Sequence, residues 1–574
     1  MNFCVKINTN FIKIIQRSFF IIFLFFLSIN AKSQKTKNFS SARPPMQGHP
    51  GFFLDDWKEK KNPKISIDDL EIKIDEIAST FAITDFKTPL TKISKYIFGN
   101  NLGHWTNRKF LENDDFIFNL KDMGIQVVRF PGGNASNDYF WDAANLNQCP
   151  NGTPSIIYKS NFTKSTPPKL GIQGNFRTRP EDYYELLLRT NSTGSICVNY
   201  SFSLYSEIED ELERVNNAAD YAASWVNEVN IKRGLNIKFW EIGNENWGKW
   251  QAGYHVKERG IIDPKKYGQH CKIFIEKMKA VDPDIKIGVV GFQKPKSRDS
   301  VQLKWNELVI PEIIDYADFY ILHDYYAKFG AILSPTEMLS SIDTTYSHIK
   351  VVNDAIKKFT DKNENFLPVA LTEFNTRSNA SISKNNGATN VSHTAGLFFA
   401  HALGEIIRQG YGMAMVWDIE NGYKDGQDHG MFASSKENDV NWLTPHPSYY
   451  HYYYYNKCFG DLYYETLTTN NSIRVHASSF SSGEAGLVVV NISAKEEIVE
   501  IEMKNFKNVK TAGVYEIYND NPLSRKTGIN GEFAKGNAGG PEKFRKIKAK
   551  KLTVSNNKIK IRSKPFSANY ILTQ

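Results

Sequence analysis

The stretch Lys238-Phe239-Trp240-Glu241-Ile242-Gly243-Asn244-Glu245-Asn246-Trp247-Gly248 places a short apolar run directly before an Asn-Glu pair. A run of this length, bounded by Gly and Asn, reads as a buried strand, and an acid just past its end lies where a parallel barrel carries its chemistry. The pattern recurs at Pro368-Val369-Ala370-Leu371-Thr372-Glu373-Phe374-Asn375, where Glu373 closes a second apolar run. The two acids are 128 residues apart. At roughly 40 residues per βα unit this is about three units, which places Glu245 on strand four and Glu373 on strand seven.

Outward from these two runs, eight strands are expected: 96–100, 126–131, 195–200, 237–245, 285–291, 319–325, 367–374 and 413–418. Helical stretches such as 207–229, 264–281, 336–359 and 392–408 lie between them. Eight strand-helix repeats imply an α/β fold closed into a (β/α)8 TIM barrel over 95–455. Past residue 455 the helical period stops. Short runs separated by Asn, Gly and Ser turns then read as a C-terminal antiparallel β-sandwich domain over 456–574. Residues 63–94 alternate apolar and polar from Ile65 to Ile74 and are expected to join that sandwich. The polar, Pro- and Gly-containing segment 34–62 reads as a loose leader. The cluster Tyr449 to Tyr455 reads as packing where barrel meets sandwich, with sugar binding as the alternative.

Residues 1–33 have the form of an export signal. Lys6, Lys13 and Arg17 precede the apolar run Phe19 to Leu27, and Ala31-Lys32-Ser33 supplies small residues for cleavage. Secretion, extracellular or periplasmic, follows, with no stable membrane insertion once the signal is removed. Its removal takes away four basic residues and no acid, so the formal charge falls from +9 to +5. So small an excess gives no reason to expect a nucleic-acid partner, and the basic run Phe544 to Lys551 reads as a solvated strand face. The widely spaced Cys149, Cys197, Cys271 and Cys458 have no metal-site pattern. An exported compartment permits a disulfide, with Cys149 its first candidate, whereas Cys197 in an apolar strand reads as a buried thiol.

Two glutamates on two strand ends point to acetal cleavage. One carboxylic acid protonates the departing oxygen while a carboxylate faces the anomeric carbon. Glu241, four residues before Glu245, is expected deeper on the barrel and paired with Arg129. Asp418 and Glu420, after strand eight, are expected at the surface, with the mouth of the barrel as the alternative. His255, His393 and His429 show no ligand spacing, so no metal and no cofactor is expected. Gly132-Gly133-Asn134 lacks the Lys-Ser/Thr of a phosphate loop and reads as a tight turn.

The ordered set Val127-Val128-Arg129-Phe130-Pro131-Gly132-Gly133-Asn134, Trp240 to Glu245, Ile321-Leu322-His323-Asp324-Tyr325-Tyr326 and Leu371 to Asn375 resembles the clan A retaining glycoside hydrolases. It looks closest to the family 51 α-L-arabinofuranosidases. The resemblance implies that Glu245 is the general acid/base and Glu373 the nucleophile. It also implies that Asn244 binds the hydroxyl beside the anomeric carbon, that His323 and Tyr325 flank the nucleophile, and that Trp417 floors the sugar pocket. Arg129 and Asn134 complete the implied substrate-binding set. Other clan activities (β-xylosidase, β-glucuronidase, endo-acting galactanase or agarase) use the same strand ends and stay open, as does a non-catalytic carbohydrate-binding protein. Asn246-Trp247-Gly248 after the acid/base, the long second loop and the export signal depart from the family pattern.

Overall fold

The computed structural model describes residues 39, 43–160, 162–174, 176–294, 299–327, 331–377, 388–423, 428–437, 439–507 and 509–574. The signal-like segment 1–33 lies outside them. Eight parallel strands close into a barrel: β1 (Gly99–Asn101), β2 (Val127–Phe130), β3 (Thr193–Val198), β4 (Phe239–Ile242), β5 (Lys286–Val290), β6 (Phe319–Tyr325), β7 (Val369–Asn375) and β8 (Met413–Val416), with β8 pairing back to β1. Helices cover the outside of the barrel and side chains fill its interior, so β2, β4, β7 and β8 are buried along their whole length. Glu373 lies on β7, and Glu245 follows the end of β4 by three residues.

The helices after the eight strands are α1 (Asp114–Asp122), α2 (Pro180–Thr190), α3 (Glu211–Val226), α4 (Pro264–Val281), α5 (Ser300–Ile313), α6 (Thr345–Phe359), α7 (His393–Arg408) and α8 (Pro447–Cys458). Their starts are written in the sequence. Asn113, Asp210, Asp263 and Ser392 each accept a backbone N–H of the first turn, and Pro264 takes the first helical position of α4. The expected helix 336–359 is broken into Pro335–Ser340, a 3-10 turn and α6. Every residue of α7 is buried, because this helix packs on the barrel and on the sandwich at once.

The segment read as a loose leader is docked. Arg43 pairs with Glu405 at 3.2 Å, and Phe53 closes the N-terminal mouth of the barrel against Phe239 and Phe319, with ring centroids 5.5 Å from each. Gly412 makes room for it, since a Cβ there would lie 2.0 Å from the Phe53 ring. The run Phe52-Phe53-Leu54 is too short, in a polar stretch, to have a periodicity that announces burial.

The sandwich has two sheets. One runs through 67–71, 549–553, 511–518, 567–573, 485–491, 473–479, 462–464 and 91–92, the other through 466–468, 80–85, 497–504 and 558–563. Val475, Leu487, Val489, Val499, Ile501, Ile561 and Ile571 fill the space between them. The C-terminal strands pair antiparallel, but 67–71 and 80–85 join parallel, to 549–553 and 497–504. These strands arrive from far away in sequence, so no hairpin dictates their direction. Tyr449 to Tyr455 lie in α8 against the sandwich, with Tyr454 4.6 Å from Tyr515 and Tyr450 5.2 Å from Phe544. Buried in that interface, they offer no sugar platform. In the basic run, Phe544, Ile547 and Ala549 are buried and Arg545 pairs with Asp122 at 2.5 Å, so only part of it is a solvated face. Cys149, Cys197, Cys271 and Cys458 are all free thiols, held apart on the β2–β3 insertion, β3, α4 and α8, and Cys149 forms no disulfide.

Candidate active site

At the C-terminal ends of the barrel strands a cavity of about 890 Å³ is lined by Glu245, Glu373, His323, Tyr325, Trp417, Gly133 and Asn134, among others. Gly243, at φ 79°, turns the chain out of β4, and Glu245 itself takes a left-handed φ of 45°, an uncommon conformation for a residue with a Cβ. Its Oε2 accepts the Trp250 indole N–H at 3.2 Å and the Gln251 amide at 3.4 Å, and its Oε1 lies 3.2 Å from His323 Nδ1. On the facing side, the β6–β7 register sets His323 opposite Glu373. Tyr325 donates its phenol O–H to Glu373 Oε1, and Arg129 Nη1 donates to Oε2 at 3.5 Å. An oxygen of Glu245, an oxygen of Glu373 and a nitrogen of His323 all lie within 4.8 Å of one another.

Burial raises the pKa of both glutamates above the ordinary carboxylate range, and for Glu373 the neighbouring Glu245 adds to the rise while a protonated His323, Arg129 and Tyr325 oppose it. Burial also pulls His323 down to about 4, which leaves its imidazole neutral at neutral pH. The Tyr325 phenol is held well above its usual value, again by burial, and remains a donor.

Arg129 and Asn244 do not line the cavity. The Arg129 side chain, expected in the substrate-binding set, has no solvent exposure and lies beneath the cavity lining. Its guanidinium is instead the hub of the floor: Nε donates to Glu241 at 2.8 Å, Nη2 to Asn244 Oδ1 at 2.9 Å and Nη1 to Asn101 Oδ1 at 3.1 Å. Asn244 is nearly buried and its Nδ2 has no hydrogen-bond partner. Trp417 sits over Gly133, where an added Cβ would come within 2.5 Å of the indole. Asn134 accepts the Gln251 amide at 2.5 Å.

Other lining residues carry less sequence signal. Trp247, Trp250 and Phe292 form one wall, with Trp247 4.8 Å from Phe292 and 5.5 Å from Trp250. Gln293, Lys294, Asp324 and His348 form a polar lobe, with His348 Nε2 3.4 Å from Asp324 and Lys294 3.7 Å from it. Trp250 and Asp324 stand within or beside the two motifs and were within reach of the sequence. Gln293 and His348 follow β5 and sit on α6, where nothing marks them. Among the described residues of the β2–β3 insertion, Gly133 and Asn134 line the cavity.

Asp418 and Glu420 are buried rather than superficial. With Asp428 they are buried in the segment after β8, where burial first and the Asp428 charge second push Glu420 up to about 7 and raise Asp418, while Asp428 is raised by burial and by Glu437 against the opposing His446. A folded-state pKa above the unfolded one means that this stability is complete below about 4.5 and is lost as the pH rises through about 7. Glu420→Gln should therefore flatten the fall in denaturation midpoint between pH 5 and pH 8, removing on the order of 3 kcal/mol of the pH dependence. Chemical denaturation of both proteins at the two pH values measures it.

Among the described residues two trios could hold a metal ion: Glu245, His323 and Glu373, and, distant from them in sequence, His401, Glu405 and His476. In the second, Arg43 and Arg408 lie 3.2 and 3.6 Å from Glu405, charges that oppose a cation.

A barrel with two acids on the ends of β4 and β7 is the arrangement of the clan A glycoside hydrolases, and the comparisons agree in kind. No protein-family model matches the chain. It is 26% identical over 221 residues to an intracellular exo-α-(1→5)-L-arabinofuranosidase of Acetivibrio thermocellus, covering 37% of this chain and 39% of that one. To the enzyme of the same description from Bifidobacterium longum it is 25% identical over 260 residues, 44% and 42% of the two chains. The chain thus matches about two fifths of the length of these relatives. Among solved structures, it superposes on an α-L-arabinofuranosidase from Thermotoga maritima with a TM-score of 0.63 at 18% identity, covering 86% of this chain and all of that one. A family 44 xyloglucanase from Paenibacillus polymyxa superposes with a TM-score of 0.56 at 12% identity, over 87% of this chain and all of that one. The likeness to the solved structures is one of fold, and the resemblance to the family 51 arabinofuranosidases and their clan stands.

Proposed function

We propose that the chain is a retaining glycoside hydrolase acting on plant or algal polysaccharides or their oligosaccharides, with an α-L-arabinofuranosyl linkage as its first candidate. The observation that carries this reading is the facing pair of buried carboxylates, Glu245 and Glu373, with oxygens inside 4.8 Å of each other. So close an approach of one oxygen from each side fits the roughly 5–5.5 Å spacing of carboxyls in double displacement better than the roughly 6.5–9.5 Å that leaves room for a water. Glu373 attacks the anomeric carbon as the Glu245 proton passes to the leaving oxygen. Glu245, then a carboxylate, deprotonates the water that releases the sugar.

The cavity favours a leaving group that is itself a sugar. At about 890 Å³ it is far larger than one pentose requires. Beside Glu245 the indole of Trp250 offers an apolar face to a ring, while Gln293, Asp324 and His348 offer polar groups to its hydroxyls. Both acids are present with their supporting donors, which weighs against a binding protein without catalysis. The export-signal form of residues 1–33 supports a secreted or periplasmic location. The test is a screen of the purified protein on aryl glycosides and arabinan, xylan, galactan and agarose fragments. Release of arabinose from arabinofuranosides supports the reading, and inactivity on every glycoside rejects it.

A further inference from the structure

Burial raises both glutamates, so burial does not decide which of them holds the proton. The hydrogen-bond inventory does. Glu373 accepts the Tyr325 phenol on Oε1 and Arg129 on Oε2, and His323 Nδ1 lies farther from its Oε2, at 3.6 Å, than from Glu245 Oε1, at 3.2 Å. Both oxygens are acceptors, as an ionised carboxylate requires. Glu245 Oε2 likewise receives N–H groups, from Trp250 and Gln251, but its Oε1 faces His323 Nδ1, whose role is set from the other side of the ring.

His323 Nε2 lies 3.1 Å from Thr372 Oγ1, and that hydroxyl lies 3.3 Å from Glu241 Oε2. Glu241 is committed as an acceptor. Arg129 Nε donates to Oε2 at 2.8 Å and Ser195 donates to Oε1 at 2.9 Å, all fully buried. The Thr372 hydrogen therefore points to Glu241, its lone pair accepts from His323 Nε2–H, and Nδ1 is left as a bare acceptor. The opposite tautomer would turn Thr372 toward His323 and set two acceptor oxygens face to face at 3.3 Å, both on fully buried residues.

We infer that Arg129, Glu241 and Thr372 form a relay that fixes His323 as its Nε2–H tautomer, so that its Nδ1 holds the catalytic proton on Glu245 rather than on Glu373. Thr372 and Glu241 are positioning residues here, since neither lines the cavity. The inference rests on the proposed glycosidase reading. In the first step the hydrogen on Glu245 Oε1 leaves Nδ1 for the glycosidic oxygen. The bond from that oxygen to the anomeric carbon breaks with its electron pair staying on oxygen, and Glu373 closes the new bond to carbon. The neutral imidazole, its pKa depressed to about 4 chiefly by burial, gains no proton in the cycle. The charged or titratable groups facing His323 are Glu245 and Glu241 from the β4 segment, Glu373 from β7 and Arg129 from β2.

The test is Thr372→Val, which keeps the side-chain shape and removes the hydroxyl, beside Thr372→Ser, which restores it. With Val, the alkaline limb of kcat/KM should move about one pH unit lower, a tenfold change in the protonation equilibrium of Glu245. Glycosides with poor leaving groups should lose about tenfold more activity than those with good ones, and Ser should restore both. An unchanged limb with equal losses for all leaving groups would overturn the relay. Glu245→Ala is run alongside: if it too shows no leaving-group dependence, the assignment of Glu245 as the acid falls and the relay with it. Should Val unfold the protein, selective ¹⁵N-histidine spectra of the wild type against His323→Asn report the tautomer directly. A protonated Nε2 supports the relay, and a protonated Nδ1 overturns it.

Discussion

Glu373→Ala should lose activity on every glycoside by on the order of 10⁴-fold or more, the scale seen when a covalent nucleophile is removed. The loss should not depend on the leaving group, because no glycosyl-enzyme forms whatever departs. The fold should survive. Glu373 is buried among donors that are solvated from the cavity side or shared with other acceptors: Arg129 keeps Glu241, and Tyr325 lines the cavity. Steady-state rates on a good and a poor aryl leaving group, with a denaturation midpoint within error of wild type, check this. Turnover within tenfold of wild type would remove Glu373 from the mechanism.

Arg129→Ala should instead damage both stability and activity. The guanidinium is inaccessible to solvent, and its loss leaves Glu241 buried with only Ser195 and Thr372 as donors. Breaking a buried pair by removing one partner typically costs about 3–5 kcal/mol, because the remaining charge has no counterpart. Glu373 loses the cation that favours its ionised form, so any folded variant should also be slow. Lysine should not substitute, since one ammonium cannot reach Glu241, Asn101, Asn244 and Glu373 in the geometry of the planar fork. Urea denaturation together with kcat measures both effects. Wild-type stability in Arg129→Ala would show that the floor of the barrel does not need its charge.

The parts of the fold legible in the sequence were those with a period or a continuous apolar run. β6 spans the expected residues, and the other barrel strands fall within a few residues of their expected ends. Glu245 and Glu373 could be read because an acid closing an apolar run contradicts its surroundings. The rest depended on contacts between segments far apart in the chain. Phe53 sits in a polar stretch and is apolar in isolation, so only its distant partners Phe239 and Phe319 make it a plug. Arg129 and Asn134 stand in one motif, yet one is sealed beneath the floor and the other lines the cavity. Strand direction of side chains is not written locally once a turn such as Gly132-Gly133 intervenes. Asp418 and Glu420 looked superficial because acids after a strand usually are, and their burial is a tertiary fact. Thr372 lies inside the quoted motif beside Glu373, but its role is visible only through Glu241 and His323 on other strands.

The stereochemistry of the first-formed sugar tests the central claim most directly. With carboxylate oxygens of Glu245 and Glu373 inside 4.8 Å, attack by Glu373 and then by water inverts the anomeric carbon twice. Proton NMR of a hydrolysis followed from its first minutes, before mutarotation, should show a product with the anomeric configuration of the substrate. A product that appears first in the opposite configuration would mean single displacement by water, and would contradict the assignment of Glu373 as nucleophile.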